Sequence, residues 1–366
     1  MTARLLWVVV THAMLPNGSS HRFVRALQRE GYDVAFCATP LPGASMWRAE
    51  RMLPGSAVPQ VLADKGRPVP LIYEMRAVID LGQFAWKLAN MGYEKVILIG
   101  CDPLSFLEAI TAFRCSPVRL SASAVWFVDW SAQRLQHPVT AVGYRAISRA
   151  SMRLANITAA ISPAAADALG SLRRSSRDVV VLPNLPMPAQ RPVPWAQRER
   201  VVAYVGGLSE QQGVAILIGA AAVLVKEGVS VHVVGDGPAS DLVVAAARLP
   251  GVHFYGLMDD SDELAAIIGK ARVGWALYDP DYPMHIFGDS LKIKDYMAAG
   301  TRVVSTLPTS LEDGVITAVS YSVVAVVEGT RRALTEPPAF EPSTHELVLN
   351  AHRSFERFVD AVLSAQ

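Results

Sequence analysis

Short apolar runs alternate with longer amphipathic segments along almost the whole chain. The runs are rich in valine and isoleucine and lack a polar face, which is typical of strands buried on both sides in a parallel sheet. The segments between them have the spacing of helices with one buried face. The pattern therefore predicts an α/β protein in which helices cover parallel sheets.

A proline-rich segment divides this pattern into two blocks. Residues 186–199 contain four prolines and show neither helical nor strand periodicity, so we expect a linker there. The expected domains are residues 1–185, residues 200–342, and a terminal helix over residues 343–366 that crosses back to the first domain. Strands are predicted at Leu5–Thr11, Asp33–Ala38, Lys95–Ile99, Ala124–Val128, Ile157–Ile161 and Val179–Leu182, then at Val201–Val205, Ser230–Val234, Val252–Tyr255, Val273–Leu277 and Thr301–Thr306. Residues 40–70 show little period, and the apolar run Tyr321–Val327 has no assigned structure.

The stretch from Tyr278 to Thr306 reads as a loop, a short helix and a strand. Asp289 and Ser290 are both suitable N-cap residues for the helix, and Gly300 suits the position just past its end. The free N–H groups and the dipole at such a helix start can hold phosphate. We therefore expect this helix start to bind an anionic ligand.

The same helix carries three charged side chains, of which Lys292 adds to this expectation. Lys292 lies in the first turn, where its charge opposes the helix dipole unless an anion is bound. Asp295 lies one turn on, where a carboxylate can accept from sugar hydroxyls, although an ordinary surface acid is the alternative. We expect Lys294 to lie on a solvated face.

Composition and charge limit the functional classes. The chain has 366 residues, of which 51% are hydrophobic and 18% charged, with a formal net charge of +1. This describes a soluble protein with a large core and gives no sign of nucleic-acid binding. Three widely spaced cysteines indicate neither a disulfide framework nor a metal site. We expect a cytoplasmic protein with no signal peptide and no transmembrane helix, and peripheral contact with the inner face of the membrane stays open.

Several segments resemble the group 1 (family 4) glycosyltransferases. Val201–Gly213 resembles that family's V-G-R-L-x-x-x-K-G, and Asp295–Gly300 resembles its E-A-M-A-x-G. Gly288–Tyr296 resembles D-P-x-K-I-K-E-Y of a bacterial subgroup, and Asp129–Arg134 resembles its D-W-S-x-x-R. At His12 and Asp129 the chain also resembles the glucuronosyltransferases of xanthan synthesis. The resemblance implies the GT-B fold, which is two Rossmann-like domains facing across a cleft.

The resemblance also implies the reaction and its partners. A sugar would pass from a nucleoside-diphosphate sugar on the second domain to a hydroxyl of a sugar, lipid-linked or other acceptor on the first. No cofactor or metal is implied, and Asp279–Asp281 is not expected to bind one. The setting that the resemblance implies is bacterial polysaccharide or glycolipid synthesis.

The resemblance and the positions after strand ends together give the candidate site residues. Donor diphosphate and nucleotide binding is assigned to Gly206, Gly207, Ser290, Leu291, Lys292 and Asp295, donor-sugar binding to Tyr278, Asp281, His285 and Asp289, acceptor binding to Asn17, Gly18 and Arg134, and catalysis to Asp129 and His12. Asp129 is a general base if the enzyme inverts the anomeric centre and a hydroxyl ligand if it retains it. A helix cap and a hydrogen-bonded loop histidine are the alternatives for Asp129 and His12.

The chain departs from the family pattern at three places. The family's phosphate-binding arginine falls on Gly207 and its lysine on Gln212, while its first carboxylate falls near Phe287, with Asp289 as the nearest acid. Diphosphate neutralisation would therefore depend on Lys292, the helix start and the amides of Gly206 and Gly207.

Two other functions remain open on the same fold. One is a non-hydrolysing sugar-nucleotide epimerase, and the other is a catalytically silent module that binds a nucleotide or a partner. The N-terminal half also carries basic and aromatic residues that could face a membrane or a lipid-linked acceptor, namely Trp47, Arg48, Arg51, Arg76, Trp86 and Lys87.

Overall fold

The computed structural model describes residues 5–11, 18–38, 48–52, 60–64, 70–128, 138–172, 178–187, 193–258, 260–282, 288–307, 316–338 and 346–366. The chain forms two compact units. The first consists of Met1–Asn184, Ile286–Asp289 and Arg353–Gln366, and the second of Leu185–His285 and Ser290–His352.

The first unit is an eight-stranded sheet covered by helices. Its elements are β1 (Leu5–Thr11), α1 (Ser19–Arg29), β2 (Val34–Ala38), β3 (Arg48–Met52), β4 (Gln60–Asp64), α2 (Pro70–Asn90), β5 (Lys95–Gly100), α3 (Pro103–Arg114), β6 (Arg119–Phe127), α4 (Pro138–Leu154), β7 (Ile157–Ala160), α5 (Pro163–Leu172) and β8 (Val180–Val181). The strand order is β4-β3-β2-β1-β5-β6-β7-β8. The predicted alternation of strands and helices is confirmed here.

One edge of this sheet lies in a segment for which the sequence pattern predicted no helix or strand. Residues 40–70 contain β3 and β4, which pair antiparallel with β2 and with each other. Both strands are short and carry charged residues, such as Arg48-Ala-Glu-Arg-Met52, so they lack the apolar run of a central strand. Their pairing depends on the edge that β2 offers, which the local pattern does not report.

Apolar side chains alternate between the two faces of the first sheet. Val8 and Val10 of β1 pack with Phe84 of α2 and Phe106 of α3 in one cluster. On the other face, Phe23 of α1 packs against Trp126, with ring centroids 5.4 Å apart. The same phenylalanine contacts Phe355 and Phe358, at 5.5 and 5.8 Å between ring centroids, so the end of the chain completes this unit.

The second unit is a six-stranded parallel sheet with helices on both faces. Its elements are β9 (Glu199–Val205), α6 (Val214–Leu224), β10 (Ser230–Val234), α7 (Ser240–Ala246), β11 (Val252–Phe254), α8 (Ser261–Lys270), β12 (Ala271–Ala276), α9 (Leu291–Ala298), β13 (Arg302–Ser305), β14 (Ile316–Ala318), α10 (Val323–Thr335) and α11 (Glu346–Ser364), whose last part belongs to the first unit. The strand order is β11-β10-β9-β12-β13-β14. The run Tyr321–Val327 proves to be the start of α10, where the Ser322 side chain accepts from the Ala325 N–H at 3.2 Å.

The direction of strand addition reverses between β9 and β12. Ligands of open parallel sheets bind outside the carboxyl ends of the strands at such a point. The Tyr296 hydroxyl lies between these two strands, where it accepts from Val205 N at 2.9 Å and lies 3.2 Å from the carbonyl oxygens of Ala203 and Trp275. It therefore satisfies backbone groups that the neighbouring strand does not reach.

Gly274 of β12 makes room for this tyrosine. A Cβ atom at residue 274 would overlap the ring of Tyr296. Tyr296 is fully buried and its hydroxyl is fixed by three backbone groups, so the ring has little freedom to move away. The close approach of ring and strand thus requires glycine.

We predict that Gly274→Ala destabilises the protein by about 1–3 kcal/mol, the usual cost of overpacking a core. Gly269→Ala in α8 is the matched control, because a Cβ there meets nothing within 4 Å. The control should be neutral or slightly stabilising, since alanine is the better helix former. Urea unfolding of both variants measures the difference, and equal stabilities would contradict the packing at Gly274.

Candidate functional site

The predicted helix and strand are present, and the helix starts at the carboxyl edge of the second sheet. Residues 283–287 of the predicted loop lie outside the described residues. Ser290 is the N-cap of α9, with its Oγ accepting from Ile293 N at 3.3 Å, and Gly300 past the helix end has a φ of 71°. Asp289 does not cap the helix. Its Oδ2 accepts from Asn184 N at 2.6 Å, and its carbonyl oxygen accepts from Asn184 Nδ2 at 2.5 Å.

Lys292 is buried at the start of α9, with 7% of its surface exposed. Its Nζ lies 4.4 Å from the ring centroid of Tyr204 and 4.6 Å from that of Tyr278. It donates to Gln212 Oε1 at 2.8 Å and to the Tyr204 hydroxyl at 3.3 Å. Two aromatic rings and two oxygen atoms thus form a cage around the amine, which we call the lysine cage.

The described residues around the lysine cage include no counter-ion for the amine. No carboxylate in the described part of the chain lies within ion-pair distance of Lys292 Nζ. Burial lowers the pKa of Lys292 to about 7, because a charged amine loses hydration that the cage replaces only in part. An anion placed beside this amine would favour its charged form.

Backbone from two strand ends approaches the cage closely. Gly206, with a φ of 147°, follows β9, and a Cβ atom there would lie 2.9 Å from Lys292 Cε. Gly235, which follows β10, also has a φ of 147°, and a Cβ atom there would overlap the Gly206 carbonyl oxygen. The Gly207 carbonyl accepts from the Tyr204 hydroxyl at 2.8 Å, so the glycine turn and the cage share one hydrogen-bond network.

Tyr278 links the cage to the helix start. Its hydroxyl lies 2.6 Å from Ser290 Oγ, and its backbone N–H donates to Thr306 Oγ1 at 2.7 Å. The side chain is buried and forms one wall of the cage. Its predicted contact with a donor sugar stays a prediction.

Asp295 and Lys294 are both buried, with 3% and 4% of their surfaces exposed. The interpretations of Asp295 as a surface acid and of Lys294 as a solvated lysine are therefore wrong. All residues of α9 from Lys292 onward are buried, so the short helix has no solvated face. Asp295 Oδ1 accepts from Met187 N at 2.9 Å and so fixes the chain segment that enters the second unit.

The far end of α9 is held by Arg198. Its guanidinium donates to the Ala299 carbonyl at 2.5 Å, to the Ala271 carbonyl at 3.1 Å and to Thr301 Oγ1 at 2.9 Å. Burial lowers its pKa to about 10. A cation at this helix end complements the dipole and fixes the direction in which the helix start points.

The remaining predicted residues are dispersed or undescribed. Asp281 is exposed, and its N–H donates to Asp279 Oδ1 at 3.0 Å. Gly18 is the N-cap residue of α1 and, since it has no side chain, forms no side-chain hydrogen bond to the helix. His12, Asn17, Asp129, Arg134 and His285 lie outside the described residues. Within the described ranges, no group of three or more His, Cys, Asp or Glu side chains is arranged to hold a metal ion.

Sequence reasoning missed Tyr204 and the role of Gln212. Tyr204 occurs in the apolar strand β9, and a tyrosine on a core face needs a hydrogen-bond partner for its hydroxyl, which was a usable signal. Gln212 stood out only because the family pattern has lysine there. Nothing local indicated that it would accept from Lys292.

Comparison with known families agrees with this geometry. Residues 199–335, which contain β9 to α10 and the whole lysine cage, match the model of the family "Glycosyl transferases group 1". Most of the second unit is therefore similar to group 1 glycosyltransferases. No curated protein sequence gives a significant match to the chain.

Solved glycosyltransferase structures share the fold along the whole chain. A UDP-forming α,α-trehalose-phosphate synthase from Burkholderia xenovorans has 13% identity and a TM-score of 0.66, covering 97% of this chain and 99% of its own. Anabaena HepE, solved with UDP, has 14% identity and a TM-score of 0.59, covering 98% and 100%. The lipopolysaccharide outer core galactosyltransferase WaaB has 14% identity and a TM-score of 0.56, covering 99% and 100%. The fold is therefore GT-B, as predicted, and the glycosyltransferase domain assigns the chain to enzymes that transfer sugars.

The lowered pKa of Lys292 predicts a pH dependence of stability. Between a folded-state pKa of about 7 and the value of about 10.4 for an unfolded lysine, the unfolded state binds more protons. The free energy of unfolding should therefore rise with pH across this window. Lys292→Met should lose this part of the slope, which urea unfolding of both proteins at several pH values measures. Identical slopes would show that the amine is not desolvated.

Proposed function

We propose that the chain transfers a sugar from a nucleoside-diphosphate sugar to an acceptor hydroxyl, and that the donor diphosphate binds at the start of α9 against Lys292. The observation that carries this proposal is the lysine cage, a buried amine with no carboxylate partner in the described structure. It lies at a helix start, beside glycine backbone, where the strand order of the sheet reverses.

A bound anion would lower the free-energy cost of the buried amine in the cage. A buried ammonium without a counter-ion is costly, and the dipole of α9 adds to that cost. A diphosphate would offset both, and would also accept hydrogen bonds from the free N–H groups of the first helical turn. Lys292 and these amides supply positive charge without a metal, so we infer a metal-independent reaction.

The position of the cage supports a nucleotide donor. The crevice between β9 and β12 is where parallel sheets of this strand order bind nucleotides. UDP is present in the structure of Anabaena HepE and in that of a variant of S. aureus TarM, which has a TM-score of 0.54 and 11% identity. We infer a nucleoside diphosphate as leaving group in this chain as well.

The other donor contacts are assigned by position in the second unit. Ser290, Leu291 and Gly207 would present N–H groups to the diphosphate, and Asp295 would accept from the ribose. The Gly206 N–H donates to the Val234 carbonyl at 3.0 Å, so Gly206 would contribute close backbone approach and not a donor. The donor sugar would contact Tyr278, Asp281, His285 and Asp289. These assignments rest on the family resemblance and on the place of each residue after a strand end.

The first unit would present the acceptor. Asn17, Gly18 and Arg134 would bind it, and Asp129 or His12 would take the proton of the attacking hydroxyl if the reaction inverts the anomeric centre. The acceptor oxygen then bonds to the anomeric carbon while the bond from that carbon to the diphosphate oxygen breaks. We infer a cytoplasmic reaction in bacterial polysaccharide or glycolipid synthesis, with a sugar or lipid-linked acceptor.

A panel of nucleoside-diphosphate sugars tests the proposal. With acceptor present, release of the free nucleoside diphosphate together with a glycosylated product supports transfer. An isomerised donor would instead identify an epimerase. Donor binding without either product would identify a silent module, which the replacement of two family cations by Gly207 and Gln212 favours.

Lys292→Met should weaken binding of the nucleoside diphosphate by about 1.5–3 kcal/mol, the value of a charge-assisted hydrogen bond. Lys270→Met is the matched control, because Lys270 is exposed at the end of α8. Isothermal calorimetry with the diphosphates of uridine, guanosine, adenosine and thymidine measures both variants. Unchanged affinity in Lys292→Met would remove this lysine from the site.

Diphosphate binding should also take up a proton. At about pH 8 most of the Lys292 amine is neutral, since its pKa is about 7, and a bound phosphate would raise that pKa. Calorimetry in two buffers of different ionisation enthalpy gives the number of protons bound. The Lys292→Met variant should lose this uptake, and equal uptake in both proteins would point to another group.

A further inference from the structure

Helices α2, α3 and α4 lie on one face of the first sheet. Helix α2 connects β4 to β5 across the sheet, whereas α3 and α4 connect the neighbouring pairs β5–β6 and β6–β7. All three crossovers run in the same direction between parallel strands, so their right-handedness brings the helices to the same side. Buried residues of all three share one core cluster, including Phe84, Phe113 and Met152. Helix α3 packs against both α2 and α4.

The outer surface of these helices is basic and contains no exposed acid among the described side chains. We call it the basic face. Its exposed polar and charged side chains are Gln83 and Asn90 of α2, Thr111 and Arg114 of α3, and Arg145, Arg149 and Arg153 of α4. The whole chain has a net charge of only +1, so these arginines are a local concentration of charge.

The structure shows no contact by which the arginines of α4 stabilise the described part of the fold. Arg145, Arg149 and Arg153 follow one another at four-residue spacing, and none has an ion pair or side-chain hydrogen bond with a described residue. Like charges at this spacing repel and slightly destabilise a helix. We therefore infer that these arginines bind a partner outside the chain.

Large apolar side chains are exposed on the same face. Trp86 and Ile79, two turns apart on α2, are 57% and 56% exposed, and Val142 at the start of α4 is 64% exposed. Leu154 at the end of α4 is 38% exposed. Tryptophan and aliphatic side chains among arginines suit the boundary between lipid headgroups and acyl chains, where arginine also binds anionic headgroups.

We propose that the basic face docks the protein on an anionic lipid bilayer. The arginines of α3 and α4 contact the headgroups, and Trp86, Ile79 and Val142 enter the interface. No helix among the described residues is long and apolar enough to span a bilayer. Nucleic acid would use the arginines but would leave the aliphatic side chains exposed to water, so it fits this face less well.

This surface differs from the one expected from the sequence. Trp86 is common to both, but the side chains of Trp47, Arg48, Arg51 and Arg76 lie outside the described residues. The arginines of α4 were not singled out, because four-residue spacing has no meaning before the buried side of the helix is known. The proposal concerns the first unit and does not depend on donor binding in the second.

Cosedimentation of the full chain with vesicles tests the proposal. The chain should bind vesicles of phosphatidylcholine with phosphatidylglycerol, bind phosphatidylcholine alone weakly, and dissociate as salt is added. Arg145→Glu with Arg149→Glu should weaken binding at least about 10-fold, given the contribution of each basic residue at an anionic surface. Trp86→Ala should weaken it several-fold and leave the salt dependence unchanged.

Arg248→Glu with Arg332→Glu is the matched control, since both arginines are exposed on the second unit and the change in net charge is equal. The control should bind vesicles nearly as well as the unaltered chain. Equal loss in both double variants would show a response to net charge alone and would overturn the proposal. Equal binding of the chain to both kinds of vesicle would also overturn the proposal. Binding of the chain to single-stranded RNA without binding to vesicles would overturn it as well. Circular dichroism and uridine diphosphate binding of each variant show that the fold is kept.

Discussion

The burial of one amine between two tyrosine rings organises the second unit. Lys292 enters the crevice from the first turn of α9, and four segments contribute to its surroundings, namely β9, the turn after it, the end of β12 and the helix itself. An amine in such a place loses hydration, and ring faces and amide oxygens compensate only partly. The lowered pKa of Lys292 expresses this balance.

The packing around the crevice is tight because several backbones and rings meet there. Gly206, Gly235 and Gly274 each occupy a place where a Cβ would meet a neighbouring side chain or carbonyl group. Tyr296 bridges the ends of β9 and β12 with its hydroxyl, and Arg198 fixes the opposite end of α9. These two contacts thus fix the position of α9. A rigid helix start can present N–H groups to a ligand without further ordering.

The contacts of Lys292 give a physical reason for one departure from the family pattern, at residue 212. Where the family has a lysine in the turn after the first strand of this domain, the chain has Gln212, and its side-chain oxygen accepts from Lys292. A lysine at residue 212 would place a second ammonium against the first. The positive charge at the crevice therefore comes from the helix, and the turn supplies an acceptor that orients it.

The sequence by itself determined the alternation of strands and helices, because buried parallel strands and amphipathic helices have distinct periods. It also determined that α9 starts after Asp289 or Ser290 and ends before Gly300, since capping depends on residues adjacent in the chain, and the structure selected Ser290 as the cap. Only the tertiary structure decided that Lys294 and Asp295 are buried, that β3 and β4 pair at the edge of the first sheet, and that Tyr204, Gln212 and Tyr278 surround Lys292. These features join residues distant in sequence, such as Tyr204 and Lys292, and local periodicity carries no information about which side chains meet across a sheet.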